Sequence, residues 1–330
     1  MTGQSIYFIG NSKSTLAVSR FEKISQLGEK NRLKVMWFEK HTGLRRFAAF
    51  FCFFKINFSR QQIAFVCHGA YWPELLISIV FRRRYSLIVQ GSEVFINRGL
   101  RGLINRIILR NSGSIGCRTF EQIDLVNQIY PGAKTFMLRM DEYLKPPVNQ
   151  LSNRLIIASL RASSNLYRQH TASKIASIIK TYLEPKASTL YVHYNGEDRD
   201  PSNKLFDQKI KGPISKKQIS SLLAECLFVI SIPKTDGLSN LVIEGLIHGA
   251  LIICSEASFK AEFEEFKERF LIIPESIIND LPSVEKFLKN ELPLISLEKN
   301  NFLSKLAYEK FSFDEVSMLN LLPNIKVHEK

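Results

Sequence analysis

One stretch restricts the fold more than any other: Ser231 to Glu256, SIPKTDGLSNLVIEGLIHGALIICSE. It begins inside an apolar run, Leu227-Phe-Val-Ile-Ser-Ile, which reads as a parallel strand buried on both faces. Pro233 to Gly237 brings turn chemistry, with Pro to stop the ladder and Asp-Gly to reverse the chain. Ser239 or Asn240 can cap the helix that follows by accepting its orphan amide hydrogens. Leu241, Ile243, Leu246 and Ile247 are its apolar positions, and Gly249 ends it as a left-handed cap. Ala250 to Cys254 is a second buried strand. A unit of strand, loop, helix and strand commits this half of the chain to an α/β design.

The chemistry of the stretch lies where the loop meets the helix. Asp236 stands on the loop and Glu244 on the first turns of the helix, with seven residues between them. Both can face a ligand at the helix N-terminus, where free amides favour phosphate. Two carboxylates beside a phosphate suit sugar hydroxyls, which need fixed acceptors, and the amides of Gly237 and Leu238 could hold the anion. The acidic pair alone describes equally well a plain strand-loop-helix unit with solvated carboxylates.

The whole string, Pro-x-x-Asp-Gly-x-Ser-Asn-x-x-x-Glu-x-x-x-x-Gly-x-x-x-Ile, is more specific. It resembles the nucleotide-sugar signature of family 4 retaining glycosyltransferases of GT-B architecture, with Asp236 where that family usually has Glu. The resemblance implies two facing Rossmann-like parallel-sheet domains with a cleft between them. It also implies that Glu244 binds the nucleotide ribose and Asp236 the donor sugar, with Gly237, Leu238, Ser239 and Asn240 around the donor. Ser159-Leu-Arg-Ala-Ser-Ser-Asn-Leu-Tyr-Arg168 resembles the family's segment that carries an Arg and then a Lys. Arg161, and Arg168 with a different spacing, would neutralise the departing diphosphate. The leaving phosphate oxygen would help remove the acceptor proton, so no protein base is required.

Length and charge add to this. A chain of 330 residues, 45% hydrophobic and 23% charged, can hold two α/β domains. No apolar run reaches the roughly 18–20 residues of a membrane span, and the N-terminus lacks the order of a signal peptide. Cys52, Cys67, Cys117, Cys226 and Cys254 form no CxxC pair and read as reduced core residues of a cytoplasmic protein. The net charge is +14, and residues 1–150 carry 22 Lys and Arg against 9 Asp and Glu, a net +13. That half is expected to meet an anionic partner.

The first half alternates strands and helices from Ile6-Tyr-Phe-Ile. A P-loop at Lys13-Ser14 fails, because the motif needs Gly where Ser12 and Tyr7 stand. The strands Ile63–Cys67 and Ser86–Val89 end at His68 and at Gln90-Gly-Ser-Glu93. His68, Gln90 and Glu93 sit where ligands of open sheets collect, and the resemblance to GT-B enzymes, whose first loop borders the acceptor, makes Gly10, His68, Gln90 and Glu93 the acceptor-side candidates. The resemblance is partial there, since Gln90 and Glu93 replace a His and an acid. Between these strands lies a Phe-rich run, residues 47–58, with basic neighbours Arg45, Arg46, Lys55 and Arg60. It can be a buried core helix or lie in a membrane interface over lipid phosphates. No nucleic-acid motif accompanies the basic residues.

Lys145-Pro-Pro-Val-Asn-Gln150 reads as the linker. The expected domains are 1–148 on the acceptor side and 149–310 on the donor side. Phe311-Ser-Phe313 resembles the start of the last GT-B helix, which implies that residues 311–330 form a helix crossing back to the first domain. Glu197-Asp-Arg-Asp200 reads as a solvated loop, and no cluster has metal-ligand spacing. The resemblance implies a metal-independent hexosyltransferase with no cofactor beyond its co-substrate, a UDP- or GDP-sugar. A basic, Phe-rich half suits a saccharide acceptor linked to polyprenyl diphosphate, at the inner face of the membrane in surface-polysaccharide assembly (O-antigen or capsule). The alternatives are a GT-B sugar-nucleotide epimerase and a non-enzymatic basic adaptor for membrane or nucleic acid.

Overall fold

A computed structural model describes residues 5–12, 15–39, 45–58, 63–69, 72–89, 99–139, 141–145, 156–160, 165–183, 187–193, 206–211, 214–234, 238–298 and 300–322. Its contacts divide the chain into two units, Met1–Asp141 with Phe313–Lys330, and Glu142–Ser312.

The first unit runs β1 (Ser5–Gly10), α1 (Thr15–Lys30), β2 (Lys34–Glu39), α2 (Arg45–Phe58), β3 (Ile63–His68) and α3 (Trp72–Val80). It continues through β4 (Arg84–Ile88), α4 (Gly99–Asn111), β5 (Ser114–Cys117), α5 (Phe120–Ile129) and β6 (Thr135–Met137). The strands pair in parallel in the order β2-β1-β3-β4-β5-β6. Strands such as IAFVCH are buried at every position, as expected when helices cover both faces. On one face Phe65 and Leu87 pack with Phe53 of α2, Ile77 of α3, Leu109 of α4 and Val126 of α5. On the other, Ile6 and Phe8 pack with Ile24 and Leu27 of α1 and with Met318 and Leu321 from the end of the chain. That end is fixed to the exit of β6. Asp314 N donates to Arg139 O at 3.1 Å, and Arg139 N donates to Ser317 Oγ at 3.2 Å.

The second unit holds β7 (Ile156–Ser159), α6 (Gln169–Leu183), β8 (Ser188–His193), β9 (Gln208–Lys211), α7 (Lys216–Glu225) and β10 (Cys226–Ser231). After these come α8 (Asn240–Ile247), β11 (Leu251–Ser255), β12 (Phe270–Ile273), α9 (Leu281–Glu291) and α10 (Asn301–Phe311), while α11 (Glu315–Leu319) belongs to the first unit. This sheet is also parallel, in the order β12-β11-β10-β7-β8-β9. Ile175 of α6 and Val284 of α9 cover one face. Leu223 of α7, Leu246 of α8 and Ala307 of α10 cover the other.

Each sheet has a place where the order of connection reverses, between β1 and β3 in the first and between β7 and β10 in the second. In open α/β sheets, loops leaving neighbouring strands at such a point diverge, and ligands bind at the carboxyl edge.

Two expectations change. Cys67, Cys117, Cys226 and Cys254 are buried and free, but Cys52 is exposed, because it lies on the outward side of α2. The Phe-rich run is divided between the two sides of one helix, with Phe53 in the core and Phe51 and Phe58 exposed.

Candidate active site

The carboxyl edge of the second sheet is built around β10 and α8. Ser239, buried, caps α8 by accepting from Val242 N at 3.4 Å. Asn240 opens the helix, and its Oδ1 accepts from the Tyr143 hydroxyl at 3.3 Å. Leu238, half-buried, packs on the core beneath. Glu244 follows on the second turn, half-buried. Gly245 sets how close this helix lies to the sheet. A Cβ there would come within 2.8 Å of Ile252 Cδ1 and 3.4 Å of Val229 Cγ2, so a larger residue would force Ile252 or the helix to shift.

His248, not singled out in the sequence, fixes the other end of α8. Its Nδ1 lies 2.8 Å from Glu244 O and its Nε2 lies 2.7 Å from Ser220 Oγ. A carbonyl only accepts, so Nδ1 carries the proton and Ser220 donates to Nε2. The buried imidazole thus ties the turn bearing Glu244 to α7.

Arg168 sits on the same edge as a clamp. Its Nη1 and Nη2 donate to Glu275 Oε1 and Oε2 at 3.2 and 2.7 Å. Nη1 also approaches the carbonyls of Ile232 and Pro233, each at 3.4 Å. Lys234 N donates to Leu166 O at 2.8 Å, and Ser255 Oγ donates to Pro233 O at 3.2 Å. One guanidinium therefore joins the segment after β7, the exit of β10 and the exit of β12. Its backbone has φ 49°, a left-handed conformation costing a non-glycine residue on the order of 1 kcal/mol. Burial raises the Glu275 carboxyl, and the hydrogen bonds and charge of Arg168, with a backbone hydrogen bond from Ala257, outweigh this, so it titrates below its ordinary value. To reach a phosphate, Arg168 would have to leave Glu275.

The first unit carries its own candidates. Gly10 ends β1 and His68 ends β3, on adjacent strands at that sheet's reversal point. Gly10 admits no side chain, since a Cβ would meet the Phe8 and Trp37 rings at 2.9 Å. Glu39 receives Trp37 Nε1 at 2.7 Å and Ser12 N at 3.0 Å, which fixes the loop after β1. His68 is buried and its Nε2 is hydrogen-bonded to Nη1 of buried Arg20. Burial first, then the Arg20 and Arg118 guanidiniums, push the imidazole pKa down to about 3. The ring is therefore neutral and accepts from the guanidinium. In the unfolded chain His68 takes up a proton near pH 6.5, which the folded chain refuses, so acidification favours unfolding. Between pH 7 and pH 5 the wild type is expected to lose about 1–2 kcal/mol more stability than His68→Gln, at about 1.4 kcal/mol per unit of pKa difference. Urea unfolding at the two pH values measures this.

Arg161, Asp236 and Gly237, with Gln90 and Glu93 of the first unit, lie outside the described residues. Their segments 161–164 and 235–237 follow β7 and β10, the two strands flanking the reversal point. Among the described residues, no group of three or more His, Cys, Asp or Glu could hold a metal ion.

No protein-family model matches the chain, and no curated protein matches its sequence. Solved structures match its fold. Sucrose-phosphate synthase from Thermosynechococcus elongatus is 12% identical with a TM-score of 0.68, covering 96% of each chain. HepE from Anabaena, in complex with UDP, is 10% identical with a TM-score of 0.65, over 94% of this chain and 96% of HepE. A Listeria monocytogenes protein assigned as a UDP-N-acetylglucosamine 2-epimerase is 10% identical with a TM-score of 0.59, over 96% and 94%. The chain thus has the two-domain α/β fold of GT-B proteins.

Proposed function

We propose that this protein is a glycosyltransferase that moves a sugar from a nucleotide-diphosphate sugar to a saccharide acceptor. One observation carries the reading: the reversal point between β7 and β10 coincides with both sequence segments singled out for donor chemistry. A diphosphate there meets the first amides of α8, a fixed positive end. Glu244, held by the close packing at Gly245 and by His248, accepts from the ribose hydroxyls. Asp236 accepts from the donor sugar, and the Gly237 and Leu238 amides bind the phosphates. Arg161 stabilises the diphosphate as its bond to the sugar lengthens. Arg168 supports it from behind by fixing the exit of β10.

HepE is seen with UDP and with UDP-glucose, which supports a UDP-sugar donor; a GDP-sugar is the other option. We assign the acceptor side to the first unit, with Gly10, His68, Gln90 and Glu93 as its candidates. His68, neutral and buried, serves there through Arg20 rather than as a proton acceptor. The acceptor we propose is a saccharide on polyprenyl diphosphate, used at the inner membrane face in surface-polysaccharide assembly. Retention of configuration, membership of family 4, and transfer without a metal or cofactor are parts of the same proposal.

The epimerase-like neighbour supports a second reading, in which the same pocket serves a sugar-nucleotide epimerase. Release of nucleoside diphosphate from UDP-glucose and GDP-mannose, with and without a lipid-linked saccharide, separates the two. Transfer requires release that depends on the acceptor. An epimerised nucleotide sugar formed without acceptor would overturn it.

A further inference from the structure

We infer that the outward face of α2 is a docking surface for acidic phospholipid, which the helix enters lying flat. At 100° per residue, Phe51, Phe54 and Phe58 fall on one stripe with Lys55 among them, opposite buried Phe53 and Asn57. The structure exposes that stripe: Phe51 is 70% accessible, Phe58 72% and Phe54 43%. Exposed rings aligned on one helix face are suited to insertion among lipid chains.

That face is braced. Arg83 Nε and Nη2 donate to Asn57 O at 3.2 and 2.7 Å, satisfying a carbonyl at the C-terminal end of α2. The rings of Phe54 and Phe58 meet Phe81 edge-on, with centroids 5.1 and 5.8 Å away. The stripe also continues into its layer. Val80 at the end of α3 and Leu100 and Leu103 on α4 are exposed on helices that cover the same face of the sheet.

Charge selects the occupant. Lys55 and Arg82 are exposed beside the stripe, and Arg101, Arg106 and Arg110 are exposed on α4. The half of the chain containing this layer holds nearly all of its excess positive charge. Aromatic side chains ringed by cations match the acyl-headgroup boundary of an anionic bilayer, where Phe is buried and Lys reaches phosphate. With 14 residues, α2 is about 21 Å long, too short to cross the hydrocarbon core. The inference deepens the reading of a lipid-linked acceptor by naming the surface that would bring the enzyme to it.

Cys52 supplies the test, since it is the exposed one of the five cysteines and adjoins Phe51. Its thiol is labelled with an environment-sensitive fluorophore in the full chain and titrated with two vesicles, neutral phosphatidylcholine and phosphatidylcholine containing phosphatidylglycerol. A blue shift is expected with the acidic vesicles, weakened by high salt and small with the neutral ones. Flotation of unlabelled protein should agree. The double variant Phe51→Ser, Phe58→Ser, altered only at exposed positions, is expected to partition roughly tenfold more weakly or worse, and Lys55→Glu to weaken binding at low salt. Either no shift with acidic vesicles or binding unchanged in the Phe variant overturns the inference. A shift that grows with protein concentration without lipid also overturns it, by giving the face to a second copy. Nucleotide release by the soluble enzyme is read separately, so failure here is distinct from failure of the transfer reading.

Discussion

Glu244→Ala is expected to lower kcat/KM for sugar transfer by on the order of 10²–10⁴, with the fold intact. The magnitude follows from the bonds removed. A carboxylate accepting from two hydroxyls makes charge-assisted hydrogen bonds, each contributing about 1.5–3 kcal/mol, and every 1.4 kcal/mol is a factor of ten. Glu244 is half-buried on α8 with its backbone carbonyl held by His248. Truncation there leaves the backbone hydrogen bonds of the helix in place. Stability should change by no more than about 1 kcal/mol, since Ala is the better helix former. Glu244→Gln keeps an acceptor without the charge and should fall between the two. Donor affinity should drop in step with turnover, which calorimetry with UDP can check. Turnover near that of the wild type would remove Glu244 from the site.

The second large effect concerns stability. Glu275→Ala is expected to destabilise the second unit by about 2–4 kcal/mol, because it leaves the Arg168 cation without its counter-charge. The Arg168 side chain is 9% exposed and that of Glu275 34%, so solvent screens the carboxylate in part and the full cost of a buried pair is not reached. Arg168→Ala should lose a similar amount. The double variant should lose much less than the sum, since neither partner is then stranded. The pair has an acid limit. Glu275 titrates lower in the folded chain, so its contribution is complete above the unfolded value near pH 4.3 and is lost as pH falls through the folded one. The comparison also assigns a role. If Arg168 acts by holding the exit of β10, the two single variants lose activity together. A loss of kcat confined to Arg168→Ala would instead give it direct contact with the leaving group.

What could be read from the sequence follows from which interactions are local. Parallel strands covered on both faces are written as unbroken apolar runs, so the strands at 63–67, 227–232 and 250–254 were legible to within a residue or two. The cap of α8 was legible because Ser239 acts on an amide three residues away. β9, QKIK, was not, since an edge strand with exposed Gln208 and Lys209 carries little apolar signal. α3 is short and almost wholly apolar, a pattern that periodicity cannot divide between strand and helix. α2 shows the converse. Its composition left core and interface open, and the packing of Phe53 against Phe38 and Phe65 decided which Phe side chains face outward.

The candidate site divides the same way. Glu244 stood in a string of neighbouring residues and could be named. Glu275 could not, because its partner Arg168 is 107 residues distant, and an isolated Glu after a strand reads as a solvated charge. Arg20 on α1 and His68 on β3, 48 residues apart, are likewise joined only by the packing of helix on sheet. Cys52 was misjudged because an apolar run does not reveal which side of its helix meets water.

The central claim is that a nucleoside diphosphate binds where the loop after β10 becomes α8. Diffraction from crystals soaked in UDP tests it most directly. The expected result is a diphosphate against the first amides of α8, with the ribose hydroxyls within hydrogen-bonding distance of Glu244. UDP bound elsewhere, with Glu244 turned to bulk solvent, would contradict the account.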